Sequence, residues 1–311
     1  MRILVATDGS ASARTAVDVV ADTAWPAGST IRIVTVVPGR PTVLGLEWSA
    51  LGEPRDEPEV GGIRPADIVR AARDSMAGRR EVDVVLLEGR PASAIVDEAR
   101  EADADLIVVG SRGHGPWQSM LLGSVSAEVV DHAPCPVLVV RGPQLAPIVL
   151  ATDGSDDARR AEAFLERWPR DRGARVRVVT AAQTAPPIEA GLPVGLSDEV
   201  MASYQRGVDD ARRQVREIAD AAALRLVQAG LDATGEARDG DPSHVIVEAA
   251  RAAGAGLIVM GTRGHGGLTR MVLGSVARNV LLHARCSVLV VRPTPRRVTR
   301  ADASRRQVAV G

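Results

Sequence analysis

The sequence contains no lysine, and its 38 basic residues other than histidine are all arginines. Chemistry that depends on a lysine amine, such as a Walker-type phosphate clamp or a Schiff base, loses its usual residue. Neither sign of charge is in excess, since 39 acidic residues leave a formal net charge of -1. No whole-molecule field favours a polyanion, so neither nucleic acid nor a membrane surface is an expected partner. Cysteine is scarce as well. Cys135 and Cys286 each stand just before a VLVV run, an arrangement that argues against a disulfide framework and for buried, inert thiols. No apolar run reaches the roughly 18 residues of a membrane span. The opening MRILVATDGS runs directly into a strand and turn without a basic leader or cleavage site, so a cytoplasmic location is expected.

What the sequence does contain is a repeat. With 311 residues, 45% hydrophobic and 25% charged, it has the length and composition of two globular domains. RILVATDGS at Arg2–Ser10 returns as PIVLATDGS at Pro147–Ser155. GSRGHGPWQSMLLGS at Gly110–Ser124 returns as GTRGHGGLTRMVLGS at Gly261–Ser275. Between Gly110–Arg141 and Gly261–Arg292, 19 of 32 positions are identical. Two copies of one domain, differing by a short insertion or deletion, account for the spacing. The expected boundaries are 1–142 and 146–293, with 294–311 a basic, solvated tail carrying five arginines. The joint between the copies, Arg141–Pro147, is too short to be a tether, so the domains pack closely.

Within the first copy the strand-like runs ILVAT, TIRIVTVV, VDVVLLE, DLIVVG and PVLVV alternate with helix-period segments at Ser10–Ala24, Ala66–Ala77, Pro91–Ala102 and Ser124–His132. The second copy repeats the order with PIVLAT, RVRVVTA, LDATGEA, GLIVMG and SVLVV, and its second helix, Asp198–Ala229, is longer. Such alternation implies an α/β fold with a parallel sheet covered by helices. Ser10 and Ser155 suit N-caps, and Pro91 and Pro242 suit the first helical position. Pro38–Arg64 and Ala182–Leu196 are rich in Pro and Gly; lids, interface segments and surface loops all fit them.

In an open doubly wound sheet, ligands bind beyond the C-terminal strand ends. Gly110 and Gly261 end LIVV and LIVM strands there, and the glycines after them, Gly113 and Gly115, Gly264 and Gly266, can gather backbone N–H groups into an anion nest. Gly123-Ser124 and Gly274-Ser275 then open the next helix, whose free N–H groups also favour phosphate. The spacing matches neither the Rossmann dinucleotide fingerprint nor the Walker loop. Arg112 and Arg263 fit a phosphate partner and a solvent-facing residue equally well. His114 and His265 lack a nearby carboxylate to orient them and suit loop shaping or phosphate contact rather than catalysis. His132 and His283 end helices, where contact with the dipole explains them; His244 reads as surface.

The twice-occurring G-x2-G-x9-G-[ST] pattern, each copy paired with a TDGS turn, resembles the ATP-binding signature of the universal stress protein family in its tandem two-domain form. The resemblance covers nearly all of the chain before the tail. It implies two Rossmann-like, doubly wound five-stranded parallel sheets of order 3-2-1-4-5, whose fifth strands pair across the domain interface so that one chain imitates a dimer. It also implies that Asp8 and Asp153 approach ribose and phosphates, with Ala6 and Ala151 as small positions beside them. Val36 would meet adenine through its backbone, with Ala181 as its counterpart, and Val125 and Val276 would join the site behind the helix-opening serines.

The resulting expectation is an ATP-binding stress-response regulatory protein, Mg²⁺ accompanying the nucleotide and occupancy modulating conformation or assembly. A slow ATPase or phosphotransferase and a structural scaffold without turnover are the alternatives. No catalytic base or lysine clamp for fast hydrolysis stands in the motifs. A homodimer and an unidentified protein partner stay open.

Overall fold

The computed structural model describes residues 1–37, 59–77, 82–113, 122–169, 174–183, 197–264 and 273–293. The first half runs β1 (Arg2–Ala6), α1 (Ala11–Asp22), β2 (Thr30–Val37), α2 (Pro65–Met76), β3 (Val82–Glu88), α3 (Pro91–Glu101), β4 (Leu106–Gly110), α4 (Ser124–His132) and β5 (Val137–Val140). The second half repeats it: β6 (Ile148–Ala151), α5 (Asp156–Glu166), β7 (Arg175–Ala182), α6 (Asp198–Gln228), β8 (Asp232–Asp239), α7 (Pro242–Ala252), β9 (Leu257–Gly261), α8 (Ser275–His283) and β10 (Ser287–Val291).

All ten strands form one sheet of order β3-β2-β1-β4-β5-β10-β9-β6-β7-β8. Each half therefore has the order 3-2-1-4-5, and its strand pairs are parallel. At the seam β5 and β10 pair antiparallel, with Leu138 opposite Leu289. The inner strands β4 (LIVVG) and β9 (LIVMG) are buried along their whole length, as continuous apolar runs covered on both faces must be. β3 and β8 lie at the sheet edges and are correspondingly half-exposed.

Two apolar layers sandwich the sheet, and both cross the seam. One holds side chains of α3, α4, α7 and α8, such as Ile95, Val129, Ile246 and Val280. The other holds those of α1, α2, α5 and α6, such as Val17, Met76, Leu165 and Leu226.

Helix starts follow local chemistry. Ser10 caps α1 by accepting from the Ala13 N–H, Ser155 caps α5 by accepting from Ala158 N–H, and Pro91 and Pro242 stand in the first turns of α3 and α7. α6 has 31 residues against 12 in α2, and its buried residues, Ala219, Ala222, Ala223 and Leu226, all lie in its last third. Of the earlier stretch Pro38–Arg64 the end is described: Val60 and Ile63 form a bridge there, and Val60 packs on Val37 and Ile68. The remainder of that stretch, 184–196 and the tail 294–311 lie outside the described residues.

Candidate functional site

The TDGS turns and the glycine loops, far apart in sequence, meet at the C-terminal ends of the strands. In the first half Asp8 Oδ1 accepts from Ser10 N–H at 3.0 Å, and Gly9 adopts φ 76°, a left-handed turn that only glycine makes without strain. Ser10 Oγ donates to the Arg112 carbonyl at 3.3 Å. Ser12 Oγ donates to the same carbonyl at 2.7 Å and accepts from Arg112 N–H at 3.0 Å, so the start of α1 fixes the loop backbone. The second half repeats the turn: Asp153 Oδ1 accepts from Ser155 N–H at 3.0 Å, Gly154 has φ 78°, and Ser155 Oγ donates to the Arg263 carbonyl at 3.4 Å.

The glycines differ in why they are glycine. A Cβ on Gly110 would overlap the backbone of Ser12 and Ala13, and one on Gly261 the backbone of Asp157, so both have a packing reason within the protein. A Cβ on Gly113 or Gly264 would overlap Oδ2 of Asp8 or Asp153, so these two let the loop close onto the carboxylate. Gly123 is different. Its φ of -76° suits any residue, and among the described residues a Cβ would meet nothing closer than 3.4 Å. Gly123 and Gly274 are the N-caps of α4 and α8 and, having no side chain, give no side-chain cap to the first-turn N–H groups.

Each half contains a cleft at this point. The first, about 530 Å³, is lined at its polar end by Asp8, Arg112, Gly113, Gly123, Ser124 and Val125. Its apolar end includes Ala6, Val36, Val60, Pro91 and Ile95. Leu282 of α8 also reaches it, so the second half contributes to the first cleft. The second, about 600 Å³, brings together Asp153, Arg263, Gly264, Gly274, Ser275 and Val276, with Ala151, Ala181, Gln183 and Ile246 at its other end. Both volumes fall within the range of small-molecule sites. Gly110 and Gly261 line the respective clefts too. His114, Gly115, His265 and Gly266 lie outside the described residues.

Electrostatics connect the clefts to the seam. Arg141, just after β5, donates through Nη1 to the Cys286 carbonyl at 3.3 Å and through Nη2 to the Leu281 carbonyl at the end of α8. Burial pulls its guanidinium down to about 10, and the neighbouring Arg112 charge adds to the effect. Arg292, just after β10, donates to the carbonyls of Asp131 and Ala133 at the end of α4, and is likewise lowered by burial, with Arg263 adding to it.

A family model, described as the universal stress protein family, matches residues 1–141 and again 145–292. The chain belongs to the universal stress protein family. A universal stress protein of Mycobacterium tuberculosis strain H37Rv is 30% identical over 245 residues, covering 73% of this chain and 75% of the relative. One from Thermus aquaticus is 41% identical over 139 residues, 45% of this chain and 97% of its own. The crystal structure of a universal stress protein from Archaeoglobus fulgidus superposes with a TM-score of 0.58 at 17% identity, covering 94% of this chain and 98% of that one, and shares the fold.

The universal stress protein resemblance thus extends to a tandem arrangement whose sheet order is the implied one. Several cleft residues were not singled out from sequence: Val60, Pro91 and Ile95 in the first half, Gln183 and Ile246 in the second, and Leu282 across the seam. Among the described residues no helix is long and apolar enough to cross a membrane, and no cluster of three or more His, Cys, Asp or Glu residues could hold a metal.

Proposed function

We propose that this universal stress protein is an ATP-binding regulatory protein in which each half, 1–142 and 146–293, holds one nucleotide. The phosphates lie on the N-terminus of α4 or α8 and on the glycine loop; the base enters the apolar end of the cleft beside Val36 or Ala181. The observation that carries the reading is Gly123. Among the described residues a Cβ there would meet nothing closer than 3.4 Å, whereas a phosphate resting on the helix N-terminus needs the close approach that glycine allows. Asp8 is the one carboxylate among the described residues lining the first cleft, and Asp153 has that place in the second. These are the carboxylates toward which Mg²⁺ on the nucleotide would turn. No lysine stands in the chain to clamp a γ-phosphate, so occupancy rather than turnover carries the signal, and the cytoplasm is the compartment that supplies the nucleotide.

The test is to denature freshly purified protein and to identify and count the released nucleotide by chromatography with mass detection. About two ATP per chain is the expected result where both sites stay filled through purification, and about one where the weaker second site has emptied. ADP alone moves the reading to a slow ATPase. No nucleotide released and none bound on addition leaves a scaffold. Gly123→Glu puts bulk and negative charge where phosphate belongs and removes binding in the first half alone; unchanged stoichiometry in that variant overturns the site.

A further inference from the structure

The two clefts are built alike except where the first helix of each half meets its glycine loop. The equivalent residues are Ser12 and Asp157. Ser12, a neutral hydroxyl, is bonded to the backbone carbonyl and N–H of Arg112. Asp157, whose side chain is 8% exposed, instead accepts through Oδ2 from Thr262 Oγ at 2.7 Å and from Arg263 Nε at 3.2 Å. Its Oδ1 pairs with Arg160. Arg112 is an exposed residue, whereas the Arg263 side chain is 18% exposed.

We infer that Asp157 is a specificity-determining residue that detunes the second cleft for phosphate, so that the two sites of one chain bind ATP unequally and the first fills before the second. The inference rests on the ATP reading above. The buried Asp157 carboxylate holds Arg263 through Nε and offsets its positive charge before a phosphate arrives, and any turn of Arg263 toward the phosphate takes from that carboxylate one of its three cationic or hydroxyl partners. The helix field changes in the same direction. The first turn of α1 has no acidic residue, while Asp156 and Asp157 stand in the first turn of α5 and oppose the positive helix end that faces the loop. Arg160 balances the formal charge of Asp157 but is 46% exposed, so solvent screens it more than the buried carboxylate. The difference is therefore in the position of the charges rather than in their sum.

The experiment reads each site singly in the full-length chain by calorimetric titration, using Gly123→Glu to silence the first site and Gly274→Glu to silence the second. In the Gly123→Glu chain, Asp157→Ser is expected to tighten ATP by about tenfold, the value of one charge-assisted contact, and to leave adenosine, which has no phosphate, unchanged. In the Gly274→Glu chain, Ser12→Asp is expected to weaken ATP by a similar factor. Asp157→Asn, which keeps an acceptor for Thr262 and drops the charge, gives an answer should the serine variant unfold. ATP affinity that does not respond to either Asp157 variant overturns the inference while leaving the ATP reading intact. Equal tightening of ATP and adenosine overturns it too, because the residue then acts through packing. Failure of ATP to bind the unmodified chain removes both.

Discussion

Trp25 and Trp168 meet edge to face, ring centroids 5.5 Å apart and planes at 81°, across the seam between the two halves. Each follows the first helix of its own half, and both are nearly fully buried. Trp25 also donates its indole N–H to the Val20 carbonyl at 2.9 Å, which fixes the ring. With β5 and β10 paired and both apolar layers crossing the seam, neither half has a core of its own. The halves should unfold together, in one transition that far-ultraviolet circular dichroism and tryptophan fluorescence report at the same denaturant concentration. Trp168→Ala should lower the stability of that single transition by about 3–5 kcal/mol. Two separated transitions in the unmodified chain would contradict a shared core.

Arg141 and Arg292 exchange contacts across the same seam, each capping the last helix of the other half. Arg141→Ala removes the donor to the Leu281 carbonyl at the end of α8 and to the Cys286 carbonyl in the turn before β10, and should cost about 1–3 kcal/mol. Arg141→Lys should recover less than half of the loss, because an ammonium cannot hold both carbonyls in the planar geometry of the guanidinium. Thermal denaturation of the three proteins side by side checks this ordering.

Gly110 and Gly123 should respond differently to alanine. At Gly110 the new Cβ runs into the backbone of Ser12 and Ala13, and the fold should lose about 1–3 kcal/mol. At Gly123 the Cβ finds room, so only the poorer N-cap of alanine is felt and stability should fall by about 0.5–1 kcal/mol, while ATP binding in the first half weakens. A Gly123→Ala protein that melted as early as Gly110→Ala would mean that the glycine serves the fold.

The strands and the helices were readable because each element carries its own local signal: unbroken Val, Ile and Leu runs for β4 and β9, Ser10 and Ser155 before α1 and α5, and a long polar-faced period for α6; the strand order has no such local signal and came from the family resemblance. The motifs were readable as a pair because each occurs twice. That Ser10 joins the TDGS turn to the glycine loop was not, since its partner Arg112 is 102 residues away and nothing local announces it. The same holds for Arg141 and Arg292, whose targets are carbonyls and have no residue type to recognise. Asp157 could have been found: aligning SASAR with SDDAR sets it against Ser12, a charge where the repeat has a hydroxyl. Leu282 could not, because only the closed seam brings α8 to the first cleft.

Cys135 gives the alkaline stability a defined slope. Burial pushes its thiol up to about 12 from an ordinary value of 9.0, with the Asp105 charge adding to the shift. Between about pH 9 and 12 the unfolded chain releases this proton and the folded chain keeps it, so stability falls as pH rises, by up to roughly 1.4 kcal/mol per unit. Arg141 acts with the opposite sign above about 10, because its folded form releases a proton that the unfolded form retains. Comparing unmodified protein with Cys135→Ala cancels the arginine. The variant should be less stable at pH 8, from the lost packing, and the gap should narrow steadily toward pH 11. A constant gap would mean that the thiol ionises alike in both states.

α6 offers the cleanest contrast between a glycine that a helix tolerates and one that the packing needs. Gly207 lies in the exposed N-terminal part of α6, and a Cβ there would meet nothing within 4 Å. Gly207→Ala therefore adds helix propensity without strain and should stabilise by about 0.5–1 kcal/mol. Gly235 lies in β8, beneath the buried end of the same helix, where a Cβ would come within 2.9 Å of the Ala219 carbonyl carbon and the Asp220 nitrogen. Those atoms are helix backbone and cannot rotate away, so Gly235→Ala must push α6 off the sheet and should cost about 1–3 kcal/mol. Hydrogen exchange distinguishes the two: Gly207→Ala should slow exchange in the first four turns of α6 only, and Gly235→Ala should speed it around Ala219, Ala222 and Ala223. Faster exchange around Ala219 in the Gly207 variant would mean that the exposed half of α6 is coupled to the sheet after all, and that its length serves the core rather than projecting from it.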